Sequence, residues 1–140
     1  MKSYYPLVSR SLIALLFVFA GIQKITEFTG TTTYVDALGV PFPVLATILV
    51  IIIEVPIALM FVFCPKRVCA SGLALIAFTI LATALAHNPF TATDEAFKMT
   101  LTMALKNIAI IGGILAAIMQ CECDKCLTTK KEGAHTSHKK

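Results

Sequence analysis

Residues Val44–Phe63 read VLATILVIIIEVPIALMFVF, an apolar run broken by one carboxylate, Glu54, and by Pro56 two positions further on. About 20 residues at 1.5 Å per residue cross the hydrocarbon core of a bilayer. A water-soluble helix apolar on every face needs a large protein around it, and a chain of 140 residues with a mean hydropathy of +0.82 cannot supply one. The stretch is therefore a transmembrane helix. Glu54 then lies near mid-membrane, where a charged side chain costs about 2.5–3.5 kcal/mol on insertion scales, so it is either protonated or faced by a partner inside the protein. Pro56 leaves the carbonyl of Ile52 without its helical donor and tends to kink the helix close to the acid.

Three further apolar segments flank this one. The first, about 7–25, ends in Gln23 and Lys24; it carries Lys2 and Arg10 ahead of its apolar run and a small-residue site at Val18-Phe19-Ala20, but reads as a span rather than a cleaved signal. The third covers 69–87 and closes at Asn88-Pro89, where the residue before proline is pushed out of helical geometry. The fourth covers about 99–119 and holds Lys106, Asn107 and the pair Gly112-Gly113, which permits close approach of a neighbouring helix. With the central helix at 43–64, the expected fold is an all-α, integral-membrane four-helix bundle over residues 1–120, followed by a short polar tail, 121–140. TEFTGTTTYVDALGVPFP, between the first two spans, reads as a connecting loop with one or two helical turns at Tyr34–Leu38.

With 57% hydrophobic and 14% charged residues, the composition lies outside the soluble norm. The net charge of +4 comes largely from the lysines of the tail. Charges that flank a membrane segment point to a lipid surface rather than to nucleic acid. Lys2 and Arg10, Lys66 and Arg67, and the tail lysines fall on one side of the expected topology, and the loops bearing Glu27 and Asp36, then Asp94 and Glu95, fall on the other. The positive-inside rule places both termini in the cytoplasm.

Counting along the helices puts Glu54 roughly 16 Å and Lys106 about 10 Å below the outer face, a gap that two flexible side chains can close. Lys24 and His87 arrive at the outer helix ends, so the outer half of the bundle gathers Lys24, Glu54, His87, Lys106 and Asn107. Arg10 stays at the inner end, some 20 Å from Lys24 along the same helix. Intramembrane ionisable groups are functional candidates by default. The expectation is that Glu54, Lys106 and His87 carry any chemistry and that Lys24, Asn107 and Arg10 contact a ligand. The plainer alternatives are a structural ion pair for Glu54 and Lys106, interface anchoring for Lys24, His87 and Arg10, and a hydrogen bond from Asn107 to another helix.

Several of these pieces recur together in one family. The arginine that opens the first helix, Ala20-Gly21 and then Lys24 at its end, Leu38-Gly39-x-Pro-x-Pro, Glu54, Lys66-Arg67, His87 and Lys106-Asn107 stand in the order and spacing of the DoxX family, which the chain resembles over about residues 7–120. The resemblance implies a four-helix bacterial inner-membrane protein related to the DoxD-type subunit of thiosulfate:quinone oxidoreductase. It leaves the cysteine-bearing tail outside.

Cys121, Cys123 and Cys126 form C-x-C-x-x-C after the fourth span, a spacing that can set three thiolates around Zn²⁺ or Cu(I), with Cys64, Cys69, His135 or His138 as a fourth ligand. The alternative is simple reduced thiols. Because every cysteine is expected on the cytoplasmic side, a disulfide-generating, quinone-linked enzyme is disfavoured. The leading functional expectation is a subunit of a redox system with a bundle cavity for a quinone or a small sulfur-type anion. The alternatives are a non-catalytic anchor that recruits a protein partner at the cytoplasmic face, and a small proton-coupled permease that works as a homo-oligomer.

Overall fold

The computed structural model describes residues 4–86 and 93–137, the side chains of 94, 95 and 121–137 excepted. Its elements are α1 (Tyr5–Thr26), α2 (Phe28–Ala37), α3 (Pro43–Ile52), a π-helical turn (Ile53–Ile57), α4 (Ala58–Phe63), a 3₁₀ turn (Pro65–Arg67), α5 (Val68–Ala86) and α6 (Asp94–Ser137). Four stretches are long and apolar enough to cross a membrane: Tyr5–Thr26, Pro43–Phe63, Pro65–Ala86 and Ala96–Gln120. The protein is an all-α, integral-membrane four-helix bundle, and no strand occurs among the described residues. Large apolar side chains stand exposed around it, Leu12, Phe19, Leu81 and Ile108 among them, as a surface that meets acyl chains requires.

Two segments differ from the sequence expectation. The connection after α1 is a ten-residue helix, α2, despite its glycine and run of threonines. Those threonines turn their hydroxyls onto their own helix: Thr32 Oγ1 donates to the carbonyl of Phe28 at 2.9 Å and Thr33 Oγ1 to that of Thr29 at 3.0 Å. Thr32 also lies 3.5 Å from the buried Thr47 Oγ1, which ties α2 to α3. Gly39 (φ 74°) and Phe42 (φ 55°) then turn the chain into α3, whose first residue, Pro43, needs no N–H there. The second difference is α6, which continues through the tail to Ser137 instead of ending near 119. Residues 121–137 contain no proline, so no residue there lacks the N–H that a helix needs.

Helices follow one another around the bundle, so α1 packs against the α3–α4 span and α6, while α5 packs against α4 and α6. The π turn divides the second span into two halves with different neighbours. Below it, α4 is wedged between α1 and α5; above it, α3 packs on α1 and α2 and draws away from α5. The core accordingly fills the α4 half, with Phe61, Leu75 and Ile114 fully buried and Ala14, Phe17 and Val68 beside them.

Close approach of helices rests on other glycines than expected. A Cβ on Gly72 of α5 would stand 2.7 Å from Ile118 Cδ1 and 3.1 Å from Phe61 Cε2, whereas one on Gly113 would make ordinary contact with Ile13 and one on Gly112 would meet nothing within 4 Å. Gly72→Val should therefore destabilise the bundle by about 1–3 kcal/mol through overpacking, read as a lower Tm in detergent, while Gly112→Ala should leave Tm unchanged or slightly raised.

Candidate functional site

The acid of the second span has a basic partner, and it is Lys24. Its Nζ donates to Glu54 Oε1 at 2.9 Å and lies 2.8 Å from Oε2. The second approach is an ionic contact off the line of a hydrogen bond, so Oε2, fully buried, is held by charge alone. The Glu54 side chain is 6% exposed and that of Lys24 28%. Gly21 makes the meeting possible: a Cβ there would come within 2.5 Å of Val55 Cγ2 and 3.1 Å of Glu54 Cβ. Only a bare backbone lets α1 lie directly on the π turn. Lys24, one helical turn later, then leans back over the Ala20 carbonyl (3.5 Å) and down to the acid.

Glu54 itself sits at the start of the π turn, two residues before Pro56. Proline cannot donate to the carbonyl four residues back, and π geometry, in which a carbonyl bonds the N–H five residues on, absorbs that missing donor without ending the helix.

Lys106 does not pair with Glu54, contrary to the sequence expectation. The span with Glu54 and the span with Lys106 are diagonal in the bundle, with α1 and α5 between them. Lys106 is exposed, and its Nζ lies 3.3 Å from Met103 Sδ, a weak acceptor one turn back on its own helix. Asn107 turns the other way and donates from Nδ2 to Thr83 Oγ1 of α5 at 2.9 Å. Thr83 in turn donates to the Thr79 carbonyl at 2.7 Å.

These groups nevertheless share one cavity of about 520 Å³ at the α2 end of the bundle, in the wedge opened where α3 leaves α5. Lys24, Glu54, Thr79, Lys106 and Asn107 contribute its polar lining, together with Thr31 and Tyr34 of α2. The remaining walls are apolar, among them Phe17, Leu49, Ile53, Phe78 and Ala82. Leu49, Leu81 and Leu85 line it and are also about half exposed on the outside, so the cavity opens toward the surroundings of the bundle. Thr31 and Tyr34 were missed by sequence reasoning because α2 was read as mostly loop.

Arg10 is not part of this cavity; it lies toward the opposite end of α1, buried, with Nε donating to the Pro6 carbonyl at 2.9 Å. His87 lies outside the described residues, as do the side chains of Cys121, Cys123 and Cys126. Among the described residues no three His, Cys, Asp or Glu side chains converge in a metal-binding group, and Cys64 and Cys69 are free thiols.

If Lys24 and Glu54 stabilise each other, Lys24→Met and Glu54→Gln should each lower Tm, and the double variant should lose less than the two singles together. A cycle of thermal melts should give a coupling of about 0.5–3 kcal/mol. In a Gly21→Val background, which forces α1 off the π turn, the coupling should collapse. A coupling of zero in the wild-type background would mean that the two charges are solvated separately.

Comparison with known proteins agrees with this architecture. The DoxX family model matches residues 5–88, which holds α1 through α5 with Lys24 and Glu54, and stops short of Lys106. The chain is 30% identical over 111 residues to the inner membrane protein YphA of Escherichia coli K12, covering 78% of this chain and 77% of YphA. It is 34% identical over 109 residues to the inner membrane protein YqjF of the same organism, with 78% of each covered. No solved structure matches. By its family match over most of the spanning region and by these two relatives, the chain belongs to the DoxX family.

Proposed function

We propose that this protein is an inner-membrane subunit of a redox system whose cavity binds a quinone. The observation that carries the reading is the composition of the cavity: mostly apolar walls around about 520 Å³, with the ammonium groups of Lys24 and Lys106 and the acid Glu54 in its lining. That volume lies in the usual range for small-molecule sites. A quinone offers an apolar ring and tail to the walls and two carbonyl acceptors to donors. Lys106, which pairs with no carboxylate among the described residues, suits one of those carbonyls. Glu54 suits proton exchange with a bound headgroup, because it is a titratable group in the cavity lining and Lys24 beside it stabilises its carboxylate form. An oxidised sulfur anion is supported less well: Lys24 is already neutralised by Glu54, which leaves it one unpaired ammonium among apolar walls.

The membrane assignment rests on the four spans and on relatives named as inner membrane proteins. Both termini then lie in the cytoplasm by the distribution of lysine and arginine. The continuation of α6 past its span supports a second role, attachment of a cytoplasmic protein through the basic, cysteine-bearing tail.

Titration of decylubiquinone into the full chain in lipid nanodiscs should show saturable calorimetric binding. Ala82→Phe, which fills the cavity, and Lys106→Met should each weaken it about tenfold or more at unchanged Tm. Absence of saturable binding, or equal binding by both variants, would overturn the quinone reading. Removal of 121–140 should abolish co-purification of a soluble partner and leave quinone binding intact; co-purification that survives the deletion would sink the attachment role.

A further inference from the structure

Arg10 sits in the second turn of α1 and is only 9% exposed. Of its five N–H donors, the one on Nε is used, by the Pro6 carbonyl; Nη1 is fully buried without an acceptor, and no carboxylate pairs with the group among the described residues. A guanidinium that merely anchors a helix end would lie out in the headgroups. This one is held within the protein with no countercharge among the described residues, which is costly unless an anion completes it.

Helix register shows what surrounds that level. Gly21 abuts Glu54 and Val55 on the antiparallel span, and Arg10 lies 11 residues before Gly21. The same height on the partner span is reached about 11 residues beyond that contact, at Pro65–Arg67. Lys66 and Arg67 stand there on a 3₁₀ turn, both exposed. The acids Glu27, Asp36 and Glu54 all belong to the opposite half of the bundle; Glu122 and Asp124 come further along α6. Tyr4 and Tyr5 are exposed beside the start of α1, followed by the half-exposed Leu7 and Val8, the sequence of surfaces met at a membrane boundary.

We propose that Arg10, backed by Lys66 and Arg67, forms a binding site for a phosphate monoanion, and that the phosphodiester of an anionic phospholipid supplies it. Guanidinium is the side chain suited to this ligand, since its planar fork of donors matches two phosphate oxygens. The position, a turn and a half inside a span, puts a headgroup within reach while its acyl chains lie along the exposed apolar face of α1. The site is at the other end of the bundle from the cavity and stands or falls independently of quinone binding.

Native mass spectrometry of the full chain, released from micelles that contain phosphatidylglycerol or phosphatidylcholine, tests it. One tightly retained phosphatidylglycerol per chain is expected, with at least tenfold weaker retention of phosphatidylcholine. Arg10→Gln should reduce phosphatidylglycerol retention about tenfold. Lys66→Gln with Arg67→Gln, surface changes that spare the fold, should reduce it severalfold. A Tm raised by phosphatidylglycerol in wild type and not in Arg10→Gln gives the same reading without depending on the mass spectrum. Equal retention of the two lipids by wild type, or retention unaffected by both sets of substitutions, would overturn the site. Displacement of phosphatidylglycerol by millimolar inorganic phosphate would assign it to a free anion and overturn the lipid source.

Discussion

A carboxylate in the middle of a membrane helix must be compensated from within the protein, and the position of Glu54 constrains everything near it. Its ion pair with Lys24 fixes the height of α1 against the second span, and the pair forms only because Gly21 lets α1 touch the π turn. Residues far apart in the chain thus answer one electrostatic demand. Pro56 belongs to the same arrangement: by forcing the π turn it sets the local rotation of the helix at the acid.

The π turn also decides where the bundle is solid and where it is open. On its α4 side the span is gripped between α1 and α5, and Phe61, Leu75 and Ile114 are fully buried there. On its α3 side the span leans toward α2, and the space left beside α5 becomes the cavity. Glu54 lies at this boundary, with the packed core on one side and the open half on the other. The packed half supplies the rigidity that lets polar groups in the open half hold fixed positions.

Hydropathy alone made the four spans legible, and with them the fold, because only helices satisfy the backbone of such segments in lipid. The acid at Glu54 and the basic groups around it were equally legible as a set. Their pairing was not, because heights were counted at Cα positions. Four helices that follow one another around a bundle put the second and fourth on the diagonal, so Lys106 and Glu54 line one cavity without sharing a seam between their helices. The helix α2 was hidden for a different reason: a run of threonines scores poorly as helix until the hydroxyls of Thr32 and Thr33 are seen to bond carbonyls of the preceding turn.

A further signal was available and bears on Arg10, Lys24 and Lys106. Side chains on an α-helix lean toward its N-terminus. Arg10, near the start of α1, leans toward Pro6 and hence toward the nearest membrane surface; Lys106, in the first half of its span, leans toward Met103 and the opposite surface. Lys24 stands near the end of its helix, so the same lean carries its ammonium inward, over Ala20, to where Glu54 waits on a helix running the other way. A cation early in a span reaches water or headgroups cheaply by following its natural direction, whereas one late in a span is driven toward the hydrocarbon and needs a countercharge. Helix polarity, more than depth, therefore selects Lys24 as the partner of the buried acid, turns Lys106 toward the start of its own span, and turns Arg10 toward Pro6 while the protein still covers it.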